Sequence, residues 1–291
     1  RPINIFVRER DISERMIESF MLAANETVAA HFYHQKLPMI YRIHLSPKKE
    51  ALQRFFNFMS TLGISVYGTK ETLTPKEIQH VLESVHDKPE APIINMMLLR
   101  SMQQARYDTH SLGHYGLAAT HYTHFTSPIR RYPDLMVHRL LHQSFQGNVD
   151  CDQEKLQEIA DHSSWTERRS VDAERDVEAM KKAEYMTQFI DETFKGVISS
   201  VTNFGLFVAL DNTVEGLVHV STMKGDYFNY VESQLALVGE RTHRRYRIGD
   251  EVVVRVVKAD PKTREVDFEL VTVHTDTLRQ EKQTKNKRKQ N

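Results

Sequence analysis

Lys195-Gly196-Val197-Ile198, Asn203-Phe204-Gly205-Leu206-Phe207-Val208, Gly216-Leu217-Val218-His219-Val220-Ser221 and Ile248-Gly249-Asp250-Glu251-Val252 follow one another in the second half of the chain. Around them the apolar residues keep the period of short strands, with runs at 195–201, 205–210, 214–219, 251–258 and 265–270 separated by turn residues. Five such strands within about eighty residues predict an OB-type β-barrel. Before Phe194 the period is helical. Asp11 with Glu14 makes a capping box ahead of Ile17, Phe20, Ala24 and Val28, and Ser46-Pro47 and Thr74-Pro75 open two more helices. Another follows Pro92. After a stretch punctuated by Gly113, Gly116, Pro128 and Pro133, the pattern predicts helices from Leu135, from Glu154 to Ala160, and from Trp165 to about Ile190, the last capped by Ser164 with Glu167. Ile3, Ile5 and Val7 alternate as a strand would, although no strand signal lies nearby to pair with them. The expected fold is α+β: mostly helical over 1–193, a five-stranded barrel over 194–272, and a basic, disordered tail over 273–291.

Composition narrows the function classes. The 39 lysines and arginines balance 39 acidic residues, so a polyanionic partner has to be argued from local clusters, not from net charge. Cys151 is the only cysteine, which excludes an intramolecular disulfide framework and a zinc ribbon and points to a reducing cytoplasm. There is no apolar stretch long enough to span a bilayer and no signal-peptide pattern, so a soluble protein with no membrane partner is expected; a monomer is expected as well.

Three groups of residues carry chemistry. Phe204, Phe207 and His219 fall on or near the ends of neighbouring strands, where flat rings can stack unpaired bases at ~1–3 kcal/mol each. Taken singly, Phe207 reads equally well as core and His219 as a turn residue. Arg244 and Arg245, with Arg241 and Arg247, lie in the long connection before the fourth strand, where they would neutralise phosphates or simply form a solvated face. In His121-Tyr122-Thr123-His124-Phe125-Thr126-Ser127-Pro128-Ile129-Arg130-Arg131-Tyr132-Pro133-Asp134, two prolines fix the backbone on either side of an arginine pair. The helix after it would point free amides back at the loop. Such a bend can clamp a phosphodiester; the plain alternative is that one arginine pairs with Asp134 and ties elements together. On the last helix, Ala173, Val177, Met180 and Ala183 form an inward stripe with Glu174 at its edge, and Arg168 with Asp172 and Glu178 with Lys182 are spaced for surface ion pairs. His110, His114, His121 and His124 lack fixed carboxylate partners and read as packing and surface, not as a metal cluster.

The four barrel pieces resemble the S1-type RNA-binding domain. The 121–134 stretch resembles the signature of the ribonuclease II and ribonuclease R (RNB) family of exoribonucleases, and the likeness extends to four further pieces. These are Met16-Ile17-Glu18-Ser19-Phe20-Met21-Leu22-Ala23-Ala24-Asn25, Tyr41-Arg42-Ile43-His44, Leu98-Leu99-Arg100-Ser101-Met102-Gln103-Gln104-Ala105 and Ala173-Glu174-Arg175-Asp176-Val177. The resemblance implies the C-terminal part of a processive 3′-to-5′ hydrolytic exoribonuclease that releases nucleoside 5′-monophosphates, acting in RNA turnover and quality control. It assigns Arg130 to the scissile phosphate and Glu174 to the neighbourhood of the active centre; beside these, the residues themselves lead us to expect RNA contacts from Tyr122, Arg131, Phe204, Phe207, His219, Arg244 and Arg245. It also implies Mg2+ held by an aspartate cluster whose positions lie upstream of Arg1. The chain therefore reads as a fragment without metal ligands, able to bind RNA but not to turn it over. Expected partners are single-stranded RNA and the 3′ ends of structured RNA; association with the ribosome stays open. The main rival is a non-catalytic RNA-binding adaptor, for which the arginine loop would be superfluous. A metal hydrolase built on the histidines is a third class.

Overall fold

The computed structural model describes residues 2–6, 10–64, 73–88, 91–147 and 149–271. The chain divides into two compact units, Arg8–Glu174 and Arg175–Asn291 with Arg1–Val7, and the division falls inside the last helix. The fold is α+β, as the periodicity predicts.

The helical unit runs α1 (Ile12–Gln35), β1 (Tyr41–Ile43), α2 (Lys49–Thr61), α3 (Pro75–Val85), α4 (Ala91–Ser101), β2 (Arg106–Asp108), α5 (Tyr132–Phe145) and the first part of α6 (Gln153–Met186). The cap of α1 forms as expected, Glu14 Oε2 accepting the Asp11 amide at 2.9 Å. Its buried row does not. Ile17 and Phe20 are 60% and 64% exposed, whereas Asn25, Ala29 and Phe32 face the core. Asn25 is buried because both ends of its amide have partners. Nδ2 donates to the Tyr122 hydroxyl and Oδ1 accepts the Phe125 amide, each at 3.0 Å, which a hydrophobic pattern cannot anticipate. Ala29 and Phe32 pack with Met39, Ile40, Ile43, Leu140 and Leu156 in the core of this unit. The antiparallel pair β1–β2 places Arg42 opposite Tyr107; three residues a side leave too little alternation to be read as strands.

α6 is one helix, not the two expected. Ser164 does not cap it. The Ser164 hydroxyl donates to the Ala160 carbonyl at 2.8 Å and accepts the Tyr107 amide at 2.9 Å, so it sits inside the helix and ties it to β2. The inward stripe is also shorter than expected: every residue from Arg168 to Glu178 is exposed, Val177 by 54%, and full burial starts at Ala183 and Met186. The spacings Arg168–Asp172 and Glu178–Lys182 form no ion pair; Lys181–Glu184 does, at 2.8 Å. Residues 2–6 hold no strand, Ile3 is 94% exposed, and Val7 lies outside the described residues.

The second unit contains β3 (Thr193–Thr202), β4 (Gly205–Leu210), β5 (Glu215–His219), β6 (Phe228–Val231), β7 (Ala236–Gly239), β8 (Arg245–Arg247), β9 (Glu251–Asp260) and β10 (Glu265–Leu270). Five of these close the expected barrel in the order β10-β5-β4-β3-β9. All pairings are antiparallel except β10 with β5, which run parallel with Asp267 beside Leu217. Ile198, Leu206, Val208, Val214, Val218, Val254, Val256 and Phe268 fill the interior. Two glycines make closure possible. A Cβ on Gly205, whose φ is +159°, would stand 2.2 Å from the Val218 carbonyl oxygen, and one on Gly216 would stand 2.5 Å from the Phe268 ring. The stretch that reads as a long connection holds a second sheet, β6-β7-β8, fastened by the edge contact of Phe228 on Tyr246. Residues 272–291, and with them the expected basic tail, lie outside the described residues.

Candidate functional site

In the helical unit the site is the bend that enters α5. Ser127 caps a tight turn, its carbonyl accepting the Arg130 and Arg131 amides at 3.3 and 3.1 Å. Asp134, fully buried in the first turn of α5, closes the turn from below. Its Oδ2 accepts the Ser127 amide at 2.8 Å and Arg131 Nε and Nη2 at 3.1 and 2.7 Å. Arg131 is thereby engaged with a carboxylate, as the plain reading of the loop allowed. Upstream, the Phe125 ring stacks on His138 at 4.1 Å, and His138 Nε2 donates to the Phe125 carbonyl at 2.8 Å. The product is a rigid bend that presents Ile129 and Arg130 to solvent. Among the described residues Arg130 has no ion pair and no side-chain hydrogen bond. Tyr122 is a correction: it is 4% exposed, with its hydroxyl bound by Asn25, so its ring is not open to a base.

Behind the bend lies a cation-rich cluster. Arg42 donates two hydrogen bonds to Glu167 of α6, at 2.6 and 2.7 Å, and its guanidinium lies 4.7 Å from the Tyr107 ring centre. The Tyr107 hydroxyl is 2.9 Å from His124 Nδ1. Burial first, then the neighbouring guanidiniums of Arg131 and Arg42, pushes the His124 imidazole far below its usual range, so it is neutral. Burial likewise raises the Tyr107 phenol to about 12. Glu174 is exposed on α6, two turns beyond Glu167 and on the same helix face. Arg42 and Tyr107 were not singled out from the sequence. The available signal was Tyr41-Arg42-Ile43-His44, where a charged residue sits at a position with apolar neighbours.

On the barrel, inward and outward residues alternate along β4 and β5. Leu206, Val208 and Val218 point in, while Phe207 and His219, carried by the pairs Phe207–Leu217 and Gly205–His219, point out. Phe204, 44% exposed, enters β4 with its ring 5.9 Å from Phe207 in an edge contact, and its carbonyl accepts the Val220 amide. The three rings therefore share one outer surface of the barrel. The four arginines resolve into two kinds. Arg241 and Arg247 pair with Asp226 and Asp250, whereas Arg244 covers the Tyr246 ring at 5.0 Å and Arg245 is exposed, with no carboxylate partner among the described residues.

Among the described residues, no group of three or more His, Cys, Asp or Glu is placed to hold a metal ion. Asp108 binds Arg106 and His110, Asp134 binds Arg131, His121 stacks on Tyr33 at 3.8 Å, and His114 packs edge-on against His44 and Tyr122. This donor set does not fit Mg2+, which demands oxygen ligands in near-octahedral order. No described helix is long and apolar enough to cross a membrane.

Residues 1–147 match the family described as RNB domain, and residues 187–270 match the S1 RNA binding domain. Ribonuclease R 1 of Lactococcus lactis subsp. lactis (strain IL1403) is 53% identical over 282 residues, covering 95% of this chain and 34% of its own length. Among solved structures, Mycoplasma genitalium RNase R in complex with ribose methylated single-stranded RNA superimposes with a TM-score of 0.85 at 33% identity, covering 93% of this chain and 43% of that one. The same enzyme in complex with double-stranded RNA gives 0.74 at 30% identity, covering 91% and 43%. The chain spans between about a third and somewhat under half of the length of these relatives. With its first 147 residues matched as an RNB domain and its barrel as an S1 domain, the chain belongs to the RNB family and has ribonuclease R among its relatives.

Proposed function

We propose that this chain supplies the phosphate-gripping bend and an RNA-binding barrel of a cytoplasmic 3′-to-5′ processive exoribonuclease, which releases nucleoside 5′-monophosphates from single-stranded and structured RNA. The observation that carries this reading is Arg130. It is an exposed guanidinium, unpaired among the described residues, on a turn locked by the Asp134 carboxylate, the arrangement expected of a group that meets phosphate oxygens rather than a protein partner. Preorganisation matters here because a fixed fork loses no freedom when charge builds on the phosphorus oxygens. Phe204, Phe207 and His219 offer flat surfaces to unpaired bases without regard to sequence, and Arg244 and Arg245 add charge for the backbone. Binding of both single- and double-stranded RNA by the Mycoplasma genitalium relative supports RNA as the ligand.

Mg2+, when bound in such an enzyme, activates water and stabilises the leaving oxygen. No step is assigned to it on this chain, because the donor set above does not suit it. The 291 residues by themselves are therefore proposed to bind RNA without cleaving it. Glu174, exposed on α6, is proposed to act on the same phosphodiester as Arg130, a reading supported by the likeness of Ala173-Glu174-Arg175-Asp176-Val177 to the family's sequence.

The test is to mix the purified chain with end-labelled single-stranded RNA at several salt concentrations, with and without Mg2+. Affinity that falls steeply with salt, that weakens about tenfold in Arg130→Ala, and that comes with no released mononucleotide is the expected result. Absence of salt-sensitive binding would refute the RNA reading. Stepwise mononucleotide release abolished by Arg130→Ala would refute the claim that these residues lack turnover.

A further inference from the structure

Arg42 stands where three segments of the helical unit meet. In β1 its amide donates to the Tyr122 carbonyl at 2.9 Å, at the head of the segment that leads to the arginine bend. Its two terminal nitrogens grip both carboxylate oxygens of Glu167 on α6. Its flat face covers Tyr107, whose hydroxyl reaches His124 in that same segment and whose amide is bound by Ser164 of α6. An exposed ion pair is a weak fastening, but the Arg42 side chain is only 11% exposed, and fork and ring together fix the guanidinium in its plane and across it.

The helix translates this fastening into a direction. Glu167 and Glu174 are seven residues apart, so they differ by only ~20° around the axis and by ~10 Å along it. The face of α6 that Arg42 grips is the face that carries Glu174. From its other side Arg42 meets Tyr122 and, through Tyr107, His124, six residues before Arg130. One guanidinium thus registers the carboxylate-bearing helix against the arginine-bearing bend.

We infer that Arg42 is a positioning residue for phosphodiester recognition, holding Glu174 and Arg130 in a common orientation through Glu167 and through the Tyr107–His124 pair. This rests on the reading of Arg130 as the phosphate ligand and adds the residue that sets its geometry. A mere structural tie would lower stability without changing what Arg130 does, so the decisive readout is coupling between the two arginines.

The experiment is a double-substitution cycle on the whole chain, read as salt-dependent affinity for single-stranded RNA. Arg130→Ala is measured in the native background, in Arg42→Lys and in Glu167→Gln. Arg42→Lys keeps the charge and loses the fork; Glu167→Gln breaks the same link from the far side and guards against a misfolded Arg42 variant. The expected result is a loss of about tenfold from Arg130→Ala in the native background and of less than about twofold in either altered one, with the loss from Phe204→Ala the same in all three. Amide exchange over residues 122–131 is expected to speed up in both altered backgrounds. An undiminished effect of Arg130→Ala in both would overturn the role given to Arg42 and leave the phosphate reading standing. No effect of Arg130→Ala in the native chain would sink that reading, and this inference with it.

Discussion

Replacing Asp134 by alanine should cost the helical unit about 3 kcal/mol. The side chain is fully buried, and its Oδ2 accepts from the Ser127 amide and twice from Arg131, whose own side chain is 19% exposed. Removing the carboxylate leaves a poorly hydrated guanidinium and an unpaired amide. Breaking a buried pair from one side costs about 3–5 kcal/mol, and the partial access of Arg131 to water places this case at the lower end. Asparagine keeps an acceptor for Ser127 but not the charge, so about 2 kcal/mol is expected. With a urea slope of about 2 kcal/mol per molar, the alanine variant should unfold about 1.5 M earlier. Trp165, the only tryptophan, lies on α6 within the same unit, so its fluorescence follows this transition. The double variant Asp134→Ala with Arg131→Ala should recover part of the loss, because no unpaired cation remains. An alanine midpoint within about 0.3 M of the native chain, or a double variant worse than the sum of the singles, would refute the claim that Asp134 locks the bend.

Two further outcomes follow from the geometry. The folded-state pKa of His124 lies far below the unfolded value of 6.5, so the unfolded chain takes up the proton first; the stabilisation is complete above about pH 6.5 and is lost as pH falls below it. The unfolding free energy read from urea titrations should drop by up to about 1.4 kcal/mol per pH unit in that range from His124 alone, His114, lowered to about 4, adding to the drop in the same direction, and His124→Gln should flatten the slope. Gly205→Ala would force a Cβ against the Val218 carbonyl oxygen, a backbone atom that cannot swing away. About 3 kcal/mol of barrel stability should be lost, measured by thermal unfolding of the strand signal, and unchanged stability would contradict the tight closure.

The barrel was legible because alternation, turn residues and two obligatory glycines all point one way over five strands of five to ten residues. Phe204, Phe207 and His219 could be placed on it for the same reason, since a period of two assigns a face once one residue is known. The inserted sheet was not legible: strands of three or four residues give no period, and their pairing and the Phe228–Tyr246 contact are helped by hydrogen bonds to Asp226 from the Tyr227, Arg241 and Thr242 amides, which no periodicity announces. The reading of α6 failed at Ser164 and Glu167, whose spacing suits a capping box equally well as two separate tertiary bonds; only the presence of Arg42 and Tyr107 decides between them. Tyr122 failed for a related reason. A tyrosine beside an arginine bend looks like a base platform until Asn25, far away in sequence, turns out to claim its hydroxyl.

The single parallel pairing of the barrel, β5 with β10, orders events during synthesis. β4 and β5, which carry the ring surface, leave the ribosome some fifty residues ahead of the strand that seals their edge. In that interval β5 is an unpaired edge, open to the same backbone bonds from a neighbouring nascent chain. Translational pausing between residues 220 and 265 should therefore raise aggregation of the emerging polypeptide, whereas a pause after residue 270 has emerged should not.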